Sequence, residues 1–337
     1  MKATELHSLA GGRVRLTRLG VGGAPLAGLY APVSEDASHA LLRAAWQAGL
    51  RYFDTAPYYG HGLGERRLGA FLRECPRDEF VVSTKVGRLL QPDASVRPMD
   101  NGWAEPLPFR PHYDYSYDGV MRSFDASTRW LGLERIDIAL VHDIGRLTHD
   151  SAHPIHWHAL TRQGGFAALE ELRRSGRIKA FGLGVNEIEV VHDSMQEARL
   201  DCTLLAGRYT LLEQHSLALL RECERHGNAI IVGGPFNSGL LAGQRKFNYA
   251  DAPASMLARA QALREVCTEF GVPLQAAALQ FPLAHTACVS CVAGMRSADE
   301  LRQDVAWFES PIPAELWLAL RARGLLADEA PCPGDPA

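Results

Sequence analysis

Four side chains of complementary chemistry stand at the ends of short β-like runs in the first half of the chain. Asp54 closes Tyr52-Phe53-Asp54, Lys85 closes the run from Phe80, His142 follows Ile136–Val141, and Tyr59 lies in the loop just beyond Asp54. An unperturbed phenol has a pKa of about 10 and exchanges protons poorly near neutrality. A nearby ammonium stabilises the phenolate and lowers that value. A carboxylate behind the ammonium holds it in place and keeps it charged, and an imidazole can orient a carbonyl or hydroxyl. In this reading Tyr59 is the acid/base, Lys85 its tuner, Asp54 the partner of Lys85 and His142 the orienting donor. Such a set moves a proton while a cofactor moves the hydride. Each residue alone is ordinary, since an Asp after a strand often forms a turn.

Those four need a scaffold that brings strand ends together. Arg13–Gly23 reads as a hairpin arm and a first strand. Strands then follow at Tyr52–Asp54, Phe80–Lys85, Ile136–Val141, Ile178–Gly184, Cys202–Ala206, Ala229–Val232 and Val289–Ala293, with helical periodicity between them. Alternating strands and helices imply a parallel sheet. Eight units favour an α/β fold of the (β/α)8 TIM-barrel type over a doubly wound sheet. An N-terminal hairpin and an accessory C-terminal helix, Ala314–Arg323, complete it. Gly20-Val21-Gly22-Gly23 is glycine-rich, but Pro25 follows and no helix starts before about Glu35, so it is no Rossmann fingerprint. A single domain over 1–330 with a Pro-rich tail, 331–337, is expected. In such barrels the active site lies where strands end and loops begin, which is where the four residues fall.

The composition narrows the function. The chain has 337 residues, 47% of them hydrophobic and 22% charged, with net charge −4. That suits a large core and gives no strong field for nucleic acid or an anionic membrane. Met1–Gly12 lacks a signal core, and the apolar Ala276–Ala293 stretch is interrupted by Gln280, Pro282 and His285. Seven scattered cysteines fit a reducing compartment, so a cytoplasmic location is expected. The partner expected is a small carbonyl or sugar. Oligomeric state is not legible.

Phe53-Asp54-Thr55-Ala56-Pro57-Tyr58-Tyr59-Gly60, followed by Gly64-Glu65-Arg66-Arg67-Leu68-Gly69, resembles the signature of the aldo-keto reductases. Ser83-Thr84-Lys85 and Leu140-Val141-His142 resemble that family's other catalytic segments. The resemblance spans nearly the whole chain. It implies a barrel, the four roles above, and NADPH or NADH bound without a Rossmann fold. It also selects Tyr59 over Tyr58, because the family tyrosine precedes the glycine, here Gly60. Asp114–Gly119, His142–Gly145 and Leu205–Glu213 resemble members that oxidise an aldose hemiacetal of the L-fucose/D-threo type, or pyridoxal.

The same resemblance assigns cofactor contacts. Asn186 would hold the nicotinamide amide, though Val185 replaces the usual serine and Ala206 the usual glutamine. Tyr209 would stack on the ring. The loop Gly234-Pro235-Phe236-Asn237-Ser238-Gly239-Leu240 would lie over the pyrophosphate, where glycines let backbone amides approach anionic oxygens. Gly294, Arg296 and Ser297 open the last barrel helix, a site favouring phosphate. Glu300 and Asp304 replace the arginine and asparagine of many NADP-dependent members, which leans away from strict NADP use and leaves NAD versus NADP open. Ser297–Glu300 also fits a capping box. Tyr58, Trp103, Tyr115 and Asp143 are expected to line the substrate pocket.

Other features have plainer readings. His149, His153, His156 and His158 are crowded enough to suggest a metal, but Pro154 interrupts helical spacing and no acidic or thiol set completes a site, so no metal is expected. Cys288-Val289-Ser290-Cys291 has redox spacing but lies where small apolar residues pack. The long loop 87–116, with Trp103, Phe109, Tyr113 and Tyr115, is expected to cover part of the pocket. The alternatives to a sugar- or pyridoxal-oxidising enzyme are a general NADPH-dependent aldehyde reductase, a non-catalytic cofactor-binding regulatory subunit and a metal-dependent hydrolase barrel.

Overall fold

The computed structural model describes residues 1–335. Eight buried, mostly apolar runs form its centre: Leu19–Gly22, Tyr52–Asp54, Val81–Val86, Ile138–His142, Ala180–Val185, Cys202–Ala206, Ala229–Gly233 and Cys288–Gly294. Strands apolar on both faces must be covered on both sides. Here they close into a parallel barrel in which each strand pairs with its neighbour in sequence and the eighth returns to the first. Leu6–Leu9 and Val14–Thr17 make the antiparallel hairpin ahead of it.

The register puts the expected residues at one end. Asp54 stands opposite Ser83, Lys85 opposite Leu140, and His142 opposite Gly184. Gly184 leaves room for the lysine, because a Cβ there would sit 3.0 Å from Lys85 Cε. At the opposite end, buried Asp137 binds Arg77 and Lys179, and Asp201 binds Arg13 and Arg173. These pairs sit where the strands begin, so they fasten the scaffold away from the chemistry.

Helix boundaries follow local signals. Ser34, Ser116 and Ser297 each cap the helix that follows by accepting an amide hydrogen. Two expectations change. Pro154 does not break a helix; it occupies the first turn of His153–Arg162, where its missing N–H costs nothing. The segment 87–116 is not one loop. Arg88–Pro92 and Phe109–Tyr113 pair as an antiparallel hairpin, and the chain between them turns back onto the first βα loop. There Trp103 bridges Leu29, Gly102 accepts from the Tyr30 amide, and the Ala104 amide donates to Gly28.

The accessory helix is Ala314–Ala322. The Pro-rich tail is docked as far as it is described: Cys332 is buried and Asp335 pairs with Arg321. Pro336 and Ala337 lie outside the described residues. All seven cysteines are free, and Cys288 and Cys291 are enclosed in the eighth strand with thiols raised by burial, the opposite of redox activation. Among the described residues no group of three or more His, Cys, Asp or Glu could hold a metal, and no helix is long and apolar enough to cross a membrane.

Candidate active site

Lys85 is buried inside the mouth of the barrel. Its ammonium donates to Asp54 Oδ2 at 2.8 Å and to the Thr55 carbonyl at 3.0 Å. Ser83 Oγ donates to the other carboxylate oxygen at 2.7 Å, with the Tyr52 hydroxyl 3.0 Å behind it. Asp54 is therefore held on both oxygens. Burial works against the lysine's charge, but Asp54 and Tyr59 outweigh it and raise its pKa above the usual 10.5. An ion pair in such a place is kept by geometry and by additional hydrogen bonds.

The Lys85 ammonium lies 4.6 Å from the Tyr59 ring centroid. Tyr59 sits on the tight turn after Pro57, and the next residue explains why it can. Gly60 adopts φ of 60°, and a Cβ there would lie 2.8 Å from the Ala27 carbonyl oxygen. Beyond the turn, buried Arg67 donates to the Leu26 and Val33 carbonyls at 2.7 Å each, clamping the first βα loop against the tyrosine's helix. Burial raises the Tyr59 phenol and Lys85 opposes it without prevailing, so the net shift is upward. This differs from the expectation of a net lowering: desolvation of the phenolate exceeds the pull of one ammonium that Asp54 already neutralises.

His142 lies with its ring centroid 6.0 Å from that of Tyr59 and 6.1 Å from that of Tyr58. Burial first, then Arg88 and Lys85, push its pKa well below 6.5. It is a neutral imidazole, suited to hydrogen bonding rather than to carrying charge. Trp103 stands 5.5 Å from Tyr58 and 5.7 Å from Tyr59, so the returning segment packs directly on both tyrosines.

Of the expected pocket residues, Tyr58 and Asp143 stay partly open at the mouth. Tyr115 does not line it. The side chain is fully buried, donates to the His142 carbonyl and supports that residue from below. Trp103 is 2% exposed and acts as packing for Tyr58 and Tyr59. The expectation placed Trp103 and Tyr115 in the pocket wall; the segment folds both inward.

The residues assigned to a nicotinamide cofactor divide similarly. Asn186 follows the fifth strand with its Oδ1 enclosed and lacking a protein partner, which fits an amide donor from a bound group. Tyr209 does not face the mouth. It is buried 5.3 Å from Phe281 and edge-on to His285, in the layer between barrel and helices, and cannot stack on a ring at the strand ends. In the loop 234–240, the Asn237, Gly239 and Leu240 amides close turns within the loop. Gly234 stays exposed, and Pro235 and Leu240 are buried beneath. Ser238 Oγ accepts from the Tyr249 amide, fastening a hairpin of Lys246–Phe247 and Ala250–Asp251 over the loop.

Gly294 ends the eighth strand, and Ser297 caps the following helix. The Arg296 amide, which a phosphate could have used, donates instead to Glu300 Oε2 at 2.7 Å. Asp304 is buried behind it, its carboxyl raised to about 7 by burial and by the Glu300 charge.

Sequence reasoning missed three residues. Arg88 pairs with Asp143 and lies over the Tyr58 ring at 4.4 Å. Glu65 is fully buried beneath the lysine strand, accepting from Thr84 Oγ1 at 2.6 Å. Arg208 donates to the Asn186 carbonyl and to Asn248 of the hairpin turn, tying that turn to the fifth strand end. Only Arg88 left a signal, a cation after Gly87, just beyond the end of the strand Val81–Val86.

An eight-stranded parallel barrel with this cluster at its strand ends defines a nicotinamide-dependent oxidoreductase, and the chain belongs to the aldo/keto reductase family, which matches residues 18–322. It is 52% identical to a pyridoxal 4-dehydrogenase of Microbacterium luteolum, over 97% of this chain and 99% of that one. It is 39% identical to a D-threo-aldose 1-dehydrogenase of a Pseudomonas species, again over 97% and 99%. Among solved structures, an aldo-keto reductase of Bacillus halodurans in its holo form superposes with a TM-score of 0.72 over 96% of this chain and 97% of that one; at 22% identity it supports the fold.

Proposed function

We propose that the protein oxidises the hydroxyl of a cyclic hemiacetal, of pyridoxal or of an aldose, to a lactone, with NAD preferred over NADP. The observation that carries the reading is the buried Asp54–Lys85 pair set against the Tyr59 ring with neutral His142 across the mouth. When bound, the nicotinamide accepts or returns the hydride. Tyr59 exchanges the hydroxyl proton, and His142 hydrogen-bonds the reacting oxygen and fixes its direction. Lys85 favours the phenolate form once the proton leaves, and Asp54 keeps Lys85 in place. The long segment, through Trp103, excludes water from the tyrosines. The kinship to a pyridoxal 4-dehydrogenase over almost the full length supports the pyridoxal member of the pair.

Asn186 would hold the carboxamide and Gly234 would let the cofactor backbone approach. The NAD preference rests on Glu300. Its carboxylate already takes the Arg296 amide at the opening of the last barrel helix, where a 2′-phosphate would otherwise bind, and Asp304 lies behind it. A phosphate would meet like charge there, whereas a ribose hydroxyl could donate to the carboxylate.

Absorbance at 340 nm tests the reading. Purified protein is offered NAD+ or NADP+ with pyridoxal and a panel of aldoses. The expected result is reduction of NAD+ with pyridoxal or a threo-aldose that disappears in Tyr59→Phe. No turnover with any of them, alongside measurable NADH binding, would overturn it.

A further inference from the structure

We infer that Asp143, held by Arg88, is a specificity-determining acceptor that selects substrates carrying a second hydroxyl one or two carbons from the reacting carbon. The inference rests on the reading that Tyr59 and His142 hold the reacting oxygen.

Asp143 Oδ2 lies 3.4 Å from His142 Nε2, so an imidazole and a carboxylate acceptor stand side by side at the mouth. The Asp143 side chain is 23% exposed, while its partner Arg88 is 5% exposed and reaches it at 2.5 Å. The carboxylate thus offers one face to incoming ligand and the other to a buried cation. Arg88 is itself fixed over the rings of Tyr58, at 4.4 Å, and Tyr113, at 5.4 Å.

The backbone supports the assignment. Asp143 has φ of 41°, a left-handed conformation, and its amide donates to the Gly184 carbonyl. A non-glycine residue persists in that conformation when its surroundings over-determine it, and such residues cluster at ligand clamps. The turn directs the carboxylate back toward His142.

A donor and an acceptor this close match two oxygens on carbons one or two bonds apart. The reacting oxygen takes the imidazole hydrogen, and the second hydroxyl donates to Asp143. A substrate without that hydroxyl leaves the carboxylate desolvated and unpaired on that face. Sites built to bond a hydroxyl discriminate strongly against analogues that lack it. An aldose has such a hydroxyl beside its hemiacetal carbon.

The test compares 2-hydroxybenzaldehyde with benzaldehyde at pH 7. NADH-dependent reduction is followed by chromatography of the alcohol, and binding to NADH-loaded Tyr59→Phe protein is followed by calorimetry. The wild type is expected to favour the hydroxylated aldehyde at least about tenfold in kcat/KM, mostly through KM, with the same order in binding. Asp143→Asn should bring that ratio close to one. Arg88→Met should do likewise, and Arg88→Lys should restore part of the preference. Equal binding of the two aldehydes, or a ratio unchanged in Asp143→Asn, overturns the inference. Preferential, Asp143-dependent binding without turnover would sustain it and count against the redox reading instead.

Discussion

The Tyr115 hydroxyl donates to the backbone carbonyl of His142 at 2.7 Å, and its oxygen lies 2.9 Å from His149 Nε2. The imidazole at the mouth is thus steadied through its own main chain by a ring contributed from the long segment. His149 is correspondingly enclosed, its pKa lowered to about 4 by burial and by neighbouring His156 and Arg88.

Tyr115→Phe removes both of these buried hydrogen bonds without changing the ring. It should cost about 1–3 kcal/mol of stability, because the His142 carbonyl and His149 Nε2 are left buried without that partner. It should lower kcat several-fold while leaving the affinity for NADH unaltered. Denaturant unfolding and steady-state kinetics on the same preparation check both. An unchanged kcat would show that His142 needs no support from below.

Removing one member of the Asp54–Lys85 pair should be more costly than its chemistry alone suggests. Lys85→Met leaves Asp54 buried and uncompensated, a change of about 3–5 kcal/mol in systems of this kind. Tyr59→Phe, by contrast, should leave the melting temperature nearly unaltered and lower turnover about 10²–10⁴-fold. Because the folded-state pKa of Lys85 is raised above 10.5, its stabilising contribution is complete below 10.5 and is lost as pH climbs through the raised value. Wild-type protein should therefore lose stability at strongly alkaline pH more steeply than Lys85→Met, as thermal melts in that range would record.

Glu65 gives the opposite end of the pH scale. Burial lifts its carboxyl from 4.5 to about 7, with partial relief from Thr84, Ser127 and Lys85. Between those values the folded protein keeps a proton that the unfolded chain has released, so stability falls as pH rises through the window. Glu65→Gln should remove that fall. Relative to wild type, the variant should gain stability on going from pH 4 to pH 8 by an amount on the order of 3 kcal/mol or less, the free energy equivalent of the shift. Asp304 titrates in both proteins and cancels in the comparison. A parallel pair of stability curves would show that Glu65 titrates alike in the folded and unfolded chain.

Glu300→Gln should raise the ratio of kcat/KM for NADP+ over NAD+ by about tenfold, since relief of one like-charge contact of roughly 1.4 kcal/mol is a factor of ten. Glu300→Arg should raise it further, because the guanidinium would meet the phosphate with a planar pair of donors. A ratio indifferent to both changes would place the determinant elsewhere.

The barrel was legible because eight apolar runs alternate with helical stretches, and the four mouth residues because each closes a strand. What escaped was orientation. Tyr209 follows a strand as a ring-stacking residue would, yet the turn after Ala206 swings it outward against Phe281. Tyr115 and Trp103 looked like pocket wall, because no local pattern marked Arg88–Pro92 and Phe109–Tyr113 as partners across sixteen intervening residues. Arg88 went unnoticed since its counter-ion, Asp143, comes from the next barrel unit. Pro154 was misjudged because a proline's effect depends on whether it opens a helix or interrupts one.

The return of the 93–108 stretch onto the first βα loop makes posture and choice inseparable in this molecule. Leu107 donates its amide to the Gly60 carbonyl, and Trp103 rests on the two tyrosines, so the segment that packs over them also braces the phenol. Shortening or redesigning it to admit a bulkier ligand would loosen the very turn that presents Tyr59. Evolution toward a new substrate along this route would pass through slower enzymes, and faster relatives with altered tastes should carry compensating changes around Gly60 rather than in the segment alone.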